Sequence, residues 1–410
     1  VNDVVVTATG ETVLVATFSG GVELDGQVFT AAGGTDVLVA VLSPTGSLVR
    51  ARVVGGPGND SARGVGLRSD GQLVVAGQHG AEFILDGQTL GHAGGADIFV
   101  LRLDDQLVAQ DAAAFGSTSA DTLLDAAVNP SGQVALTGSL FDAVDFGNGP
   151  VGAGADTTGF LVVLEPDFTF RWARRFGGTG SDDGTGAALD GSGNALLAGT
   201  VCISADLGGG TLTANTCSDG VAAGYSNSGT HQFSRMYGGG GIQEDGMKVA
   251  FDAAGNAYWT GIFTDTVDFG GGPRTVAAFY DAALVSFTAA GVYRWDRIIT
   301  GSGSKDILAL VGDANGVIMA GAFTNSINAG QALSTASRDG FISAWDPDGN
   351  NRFARAIQGP GTQYALGAAA VAGSLDVVVV GSFEQQVTLT GGQVLTSQGA
   401  MDGYVWRLRP

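Results

Sequence analysis

The chain is 410 residues long and carries 40 acidic side chains against 19 basic ones, a net charge of −21. That surplus of carboxylates excludes nucleic acid and anionic membrane as partners, because phosphate is repelled by such a surface. Glycine is abundant (69) and proline scarce (9), yet hydrophobic residues reach 44% in periodic runs, which excludes low-complexity disorder, and no apolar run approaches the ~18 residues of a bilayer-spanning helix.

The chain opens on a strand at Val1 with no basic-then-apolar leader, so an export signal is expected to be cleaved or to lie outside these residues. This first strand, here a, turns at Gly10 into a second, b, that passes through Ala16. The pair then returns down the chain. The turn glycine recurs at Gly71, Gly132, Gly193, Gly255 and Gly316, and a strand-b glycine recurs at Gly77, Gly138, Gly199, Gly261, Gly321 and Gly381. Intervals of 61, 61, 62, 60 and 60 residues, with Ala16 holding the same slot 61 before Gly77, describe seven copies of one unit. In the seventh copy the turn glycine fails and Gly373-Ser374 sits a few residues early.

Unit three shows the pattern in full. Strand a is predicted over Thr122–Val128, a turn over Asn129-Pro130-Ser131-Gly132 and strand b over Gln133–Gly138. A longer segment, Ser139–Thr157, leads to strand c (Gly159–Leu164), the turn Glu165-Pro166-Asp167 and strand d (Thr169–Phe176). Each is a short run rich in Val, Leu and Phe, bounded by turn formers and too short for a helix. Asp36, Asp97, Asp219, Asp281, Asp339 and Asp402 precede strand c, with Thr158 in that slot of unit three. Pro44, Pro166, Pro347 and Pro410 open the c–d turn, and Trp172, Phe233, Trp295 and Phe353 share one position of strand d. Four antiparallel strands in each of seven units predict an all-β, seven-bladed β-propeller. It is a single domain over 1–410, with blades at about 1–56, 57–117, 118–178, 179–239, 240–300, 301–359 and 360–410.

Segments such as GGTGSDDGTGAALDGSGNALLAGT, GNAYWTGIFTDTVDFGGGP and RDGFISAWDPDGNNRFARAIQG resemble the bacterial seven-bladed propeller repeats known as SBBP repeats. The likeness covers nearly the whole chain and implies the propeller fold and an exported or surface protein; it names no activity. Ala16, Thr158 and the altered turn of unit seven depart from the pattern.

The last unit stops at Pro410, the start of a c–d turn, so 27 strands are expected and the last blade lacks its outer one. Three readings compete: a three-stranded blade or a tail outside these residues, an altered pairing of the N-terminal segment, or an edge over Tyr404, Val405, Trp406, Arg407 and Leu408 that accepts a strand from another chain. Elsewhere the edges look defended, because ten of the 17 arginines fall in strand d, where charge discourages sheet-to-sheet association; an anion-binding belt is the sharper alternative.

Antiparallel connectivity places the b–c and d–a connections on one face. Asp60, Asp121, Asp182, Glu244 and Asp306 gather there near the start of strand a, as a candidate acidic rim around the channel. Asp25, Asp86, Asp145, Asp206 and Asp268 lie further out, in the b–c loops. A ring of carboxylates suits Ca²⁺; equally, each Asp can accept backbone N–H bonds inside its own glycine-rich turn. No other cofactor is expected.

Cys202 and Cys217, 15 positions apart in one b–c segment, suggest a disulfide and an oxidising compartment. The strand-d aromatics suit packing between blades, with sugar stacking as the alternative. Neither a G-x-S-x-G, an H-E-x-x-H nor a P-loop appears, and His79, His92 and His231 do not recur between units. The sequence therefore reads as a non-catalytic exported scaffold or binding module, extracellular, at the cell surface or periplasmic, with a protein or polysaccharide partner and a route to larger assemblies through its incomplete blade. The alternative is a calcium-dependent carbohydrate-binding propeller or a channel-rim hydrolase or lyase.

Overall fold

The computed structural model describes residues 1–152, 156–240, 245–276, 279–389 and 392–410. Seven antiparallel sheets stand around one axis, spanning Asp3–Val54, Ser61–Phe115, Asp121–Phe176, Asp183–Tyr237, Gly246–Ile299, Lys305–Ile357 and Gln363–Leu408. Six have four strands in the order a-b-c-d, and the seventh has three. Among the described residues there is no helix.

The strand pattern follows from position in the ring. Strands b and c lie between neighbouring blades and are apolar on both faces; all seven residues of Asp36–Leu42 and of Val134–Leu140 are buried. Strand d is half exposed and carries the arginines. Strand a lines the channel, and each strand a packs beside those of the two adjacent blades, the first closing on the seventh. Residues Asp3–Val6 pair with Thr12–Val15 inside blade one, so the N-terminal segment does not complete blade seven.

The b–c segment, read from the sequence only as a long connection, contains a small hairpin. Gly21–Leu24 pairs with Gln27–Thr30 across Asp25-Gly26, and Phe83–Leu85 with Gln88–Leu90 across Asp86-Gly87. Both residues of each turn have positive φ (52° and 79°; 51° and 84°), the two-residue turn that Asp-Gly favours. In blade six the hairpin is continuous with strands b and c, Gly316–Asn328 and Ala332–Trp345. The Cys202–Cys217 disulfide closes the base of the hairpin in blade four.

Candidate functional site

The acidic rim is built from loops turning inward. Asp60, Asp121 and Asp182 are fully buried. Asp60 accepts the Gly56 N–H at 2.6 Å and the Gly80 N–H at 3.2 Å. Asp121 accepts the N–H and hydroxyl of Ser117 at 2.6 and 3.1 Å. Asp182 accepts the N–H groups of Gly178 and Cys202 at 3.1 and 2.8 Å. Each carboxylate thus ties the d–a loop before it, and in two blades the base of its own hairpin, to the head of strand a. Burial pushes Asp121 and Asp182 up to about 6, and raises Asp60, against the N–H bonds that favour the charged form. Gly177 shows how tight this loop is: its φ is +102°, and a Cβ there would run into the Asp182 carboxylate.

Glu244 lies outside the described residues. In blade six the corresponding slot holds Lys305 rather than Asp306, as the pairing shows: Asp121 lies opposite Leu140, and Lys305 opposite Phe323. The Lys305 ammonium is buried, donates to the carbonyls of Tyr280 and Gly303 at 2.6 and 2.9 Å, and stands 3.3 Å from Asp281. Asp306 instead pairs with Arg338. The outer acids are also turn residues. Asp145, Asp206 and Asp268 each accept two glycine N–H groups of their own loop.

Within the channel, charged side chains of both signs stand on strand a. The Asp3 carboxylate accepts the Val65 N–H at 2.9 Å, and Asp125 accepts the Ala187 N–H at 3.0 Å, each reaching the next blade. Lys248 lies 3.3 Å from Asp125, and Arg63 donates to Gln78 at 3.4 Å. Burial lifts Asp3 to about 7. His79 and His92 meet edge to face in the apolar surroundings of Phe83 and Phe99. Among the described residues, no three His, Cys, Asp or Glu side chains are placed to hold a metal ion.

The arginine series has a role that counting did not reveal. At the fifth position of strand d, Arg52, Arg174, Arg235 and Arg297 donate across the blade boundary to the carbonyls of Leu107, Gly229, Gly291 and Gly349, at 2.7, 2.7, 3.1 and 2.6 Å. Each acceptor is the left-handed residue of the next blade's c–d turn. In blades three, four and five the residue two positions earlier is an aromatic that lies on the same turn. The indole N–H of Trp172 donates to Asn227 at 3.1 Å and that of Trp295 to Pro347 at 2.9 Å. Both aromatics are buried, as are Phe233 and Phe353. The arginines and aromatics of strand d therefore clasp one blade to the next.

On strand c of blade seven, Tyr404, Trp406 and Leu408 are buried against blade six. Val405 turns toward blade one, and Arg407 bonds Asp376 at 3.0 Å.

No family model matches the chain, and no curated protein does. Among solved structures it is similar to a Dyadobacter fermentans protein of unknown function, at 11% identity over 86% of this chain and 92% of that one, with a TM-score of 0.41. It is also similar to regucalcin, a calcium-binding protein from Agrobacterium tumefaciens (11% identity, 74% and 81% covered, TM-score 0.33). A third is virginiamycin B lyase from Staphylococcus aureus (8%, 98% and 83%, TM-score 0.29). Likeness this distant says nothing of activity.

Proposed function

We propose that the chain is a non-catalytic binding scaffold that works outside the cell and grips a partner with its b–c hairpins. What supports this reading is the placement of exposed apolar side chains. Val28, Ile84, Phe141, Ile203, Phe279, Val394 and Met401 all stand on b–c segments, in six different blades, and Phe279 is 84% exposed. Among the described residues four other large apolar side chains are exposed, Val49, Val108, Val292 and Leu375, scattered over strand d and the c–d and a–b turns; the concentration of the remaining seven on one class of loop marks a contact surface. Five of the seven are aliphatic or Met, which suits a protein better than a polysaccharide, whose rings call for aromatic faces; Phe141 and Phe279 are the two that could stack on a sugar. The disulfide fits an oxidising compartment.

The competing reading needs rim carboxylates free to face a cation or a substrate, whereas Asp60, Asp121 and Asp182 are engaged with backbone N–H groups. The test is binding to a panel of secreted and surface proteins and to a glycan array, with and without chelator. Wild type is compared with a variant carrying Ile84→Ser, Phe141→Ser, Ile203→Ser and Phe279→Ser. A chelator-insensitive protein ligand, bound at least roughly tenfold more weakly by the variant, is expected. Binding indifferent to the four changes, chelator-sensitive glycan binding or turnover of a substrate would defeat the reading.

A further inference from the structure

Lysine is the rare cation of this chain, used twice against 17 arginines. The ion pairs follow suit: of 11 among the described residues, nine use arginine. The most deeply buried pair uses lysine instead. Lys305 and Asp281 have side chains that are each 1% exposed, and Nζ stands 3.3 Å from Oδ1. Arginine is the usual choice for a buried pair, because its guanidinium is weakly hydrated and forks onto a carboxylate. It cannot give up its proton and act as a nucleophile. Lysine can.

The surroundings suit an amine. Lys305 opens strand a of blade six, and Asp281 opens strand c of blade five. Phe323 stands opposite Lys305 and Phe263 opposite Asp281, both fully buried, and the Tyr280 ring lies 5.2 Å from Nζ. Nζ has two carbonyl acceptors, Tyr280 at 2.6 Å and Gly303 at 2.9 Å. A neutral amine carries two N–H donors, so these carbonyls satisfy both and leave the lone pair for the carboxyl. Burial pushes the Lys305 ammonium below its ordinary value, against the opposing pull of Asp281. At two other blade boundaries the matching positions hold two acids, and the charge of Asp36 bears on Asp60 as that of Asp97 does on Asp121. Among the slot residues Asp60, Asp121, Asp182, Glu244, Lys305 and Gln363, Lys305 alone brings an amine.

We propose that Lys305 and Asp281 condense into an amide, an isopeptide bond that ties blade five covalently to blade six. The ammonium first gives one proton to the Asp281 carboxylate, leaving a neutral amine beside a carboxylic acid. Nζ then attacks Cγ, and a C–N bond forms as the C–O bond to the hydroxyl breaks. A second proton passes from the nitrogen to that hydroxyl, which leaves as water. The step needs no oxidant, reductant or further reactant. Two features of the fold favour it. A buried ion pair is costly to keep charged, whereas an amide carries no charge, and the reacting groups are held near contact away from solvent. Water expelled from so buried a site is kept from hydrolysing the product. This inference is independent of what the hairpins bind.

Mass spectrometry of the denatured wild-type chain is the test. Once the two hydrogens lost to the disulfide are allowed for, the chain is expected to weigh one water less than its sequence. Trypsin should leave Lys305 uncut, because an acylated lysine is not a cleavage site, and should release residues 275–294 joined to residues 298–338. Lys305→Arg and Asp281→Ala are each expected to restore the full mass. The wild-type reading stands by itself if either variant fails to fold. Full mass with cleavage after Lys305 overturns the proposal and leaves an ion pair. So does a missing water without the branched peptide, as ring closure at an Asp-Gly step would give, or a missing water that persists in both variants.

Discussion

A carboxylate whose burial outweighs its hydrogen bonds and neighbouring charges makes its own proton part of the fold's stability. Asp121 and Asp182 are held at about 6 and Asp3 at about 7, against an ordinary value of 3.8. A pKa raised in the fold means that the native chain holds the proton more tightly than the unfolded one. The stabilisation is complete below about pH 4 and is lost as pH rises through 6 to 7. Melting temperature is therefore expected to climb as the pH is lowered from about 8 to about 5, and the double change Asp121→Asn, Asp182→Asn should flatten that slope. A midpoint falling over this range would contradict the inward placement of these acids. Beside them, Gly177→Ala should cost at least about 1–2 kcal/mol in chemical denaturation, through its left-handed backbone and the Asp182 contact together. The spacing of Asp60, Asp121 and Asp182 was plain in the sequence, but not its meaning. A carboxylate that faces outward to a cation and one that faces inward to N–H groups recur at the same interval. Lys305 was missed although its signal was in the sequence: Asp60, Asp121, Asp182 and Glu244 each lie 11 residues before their a–b turn glycine, and the same count back from Gly316 falls on Lys305, as the pairing confirms.

Between elements, a blade is held to the next by more than apolar burial. The Arg297 guanidinium and Trp295 indole both donate to one c–d turn, at Gly349 and Pro347, and Gly349 leaves room for the ring because it has no Cβ. Arg297→Ala should destabilise by about 1 kcal/mol, since the bond is charge-assisted but the side chain is partly solvated. Arg171→Ala would show whether a strand-d arginine bonded to Asn227 from a different position costs as much. Removing the Cys202–Cys217 bond with the change to serine at both positions should cost ~3 kcal/mol for its short loop. Two reactive thiols in the denatured, unreduced protein would show that the bond does not form. The strands themselves were readable because each is a compact apolar run between turn glycines. The b–c hairpins were not, although Asp25-Gly26 and Asp86-Gly87 carried the signal. Their strands are two to four residues long and mostly polar on one side, too brief for periodicity to register.

At the scale of the ring, stability is a chain of neighbour contacts closed into a circle, and one contact is weaker than the rest. A propeller unit buries its apolar surface only against its neighbours, so each junction holds the two blades it joins. Six junctions have continuous buried clusters and most have an arginine clasp; among the described residues the junction of blades seven and one has two small clusters. Local opening follows local packing, so the strands beside the thinner seam exchange first. Hydrogen exchange followed by mass spectrometry should therefore find Asp402–Leu408 and its partner Val377–Phe383 exchanging ahead of the matching strands Asp219–Tyr225 and Ala195–Val201 of blade four. Strand a of blade one, Asp3–Val6, should follow, since it leans on blade seven. The sequence does not predict this order, because the apolar content of blade seven resembles that of the others and only the packing shows the smaller clusters at its seam with blade one. Uniform protection around the ring would mean that the seam is as well held as any other junction.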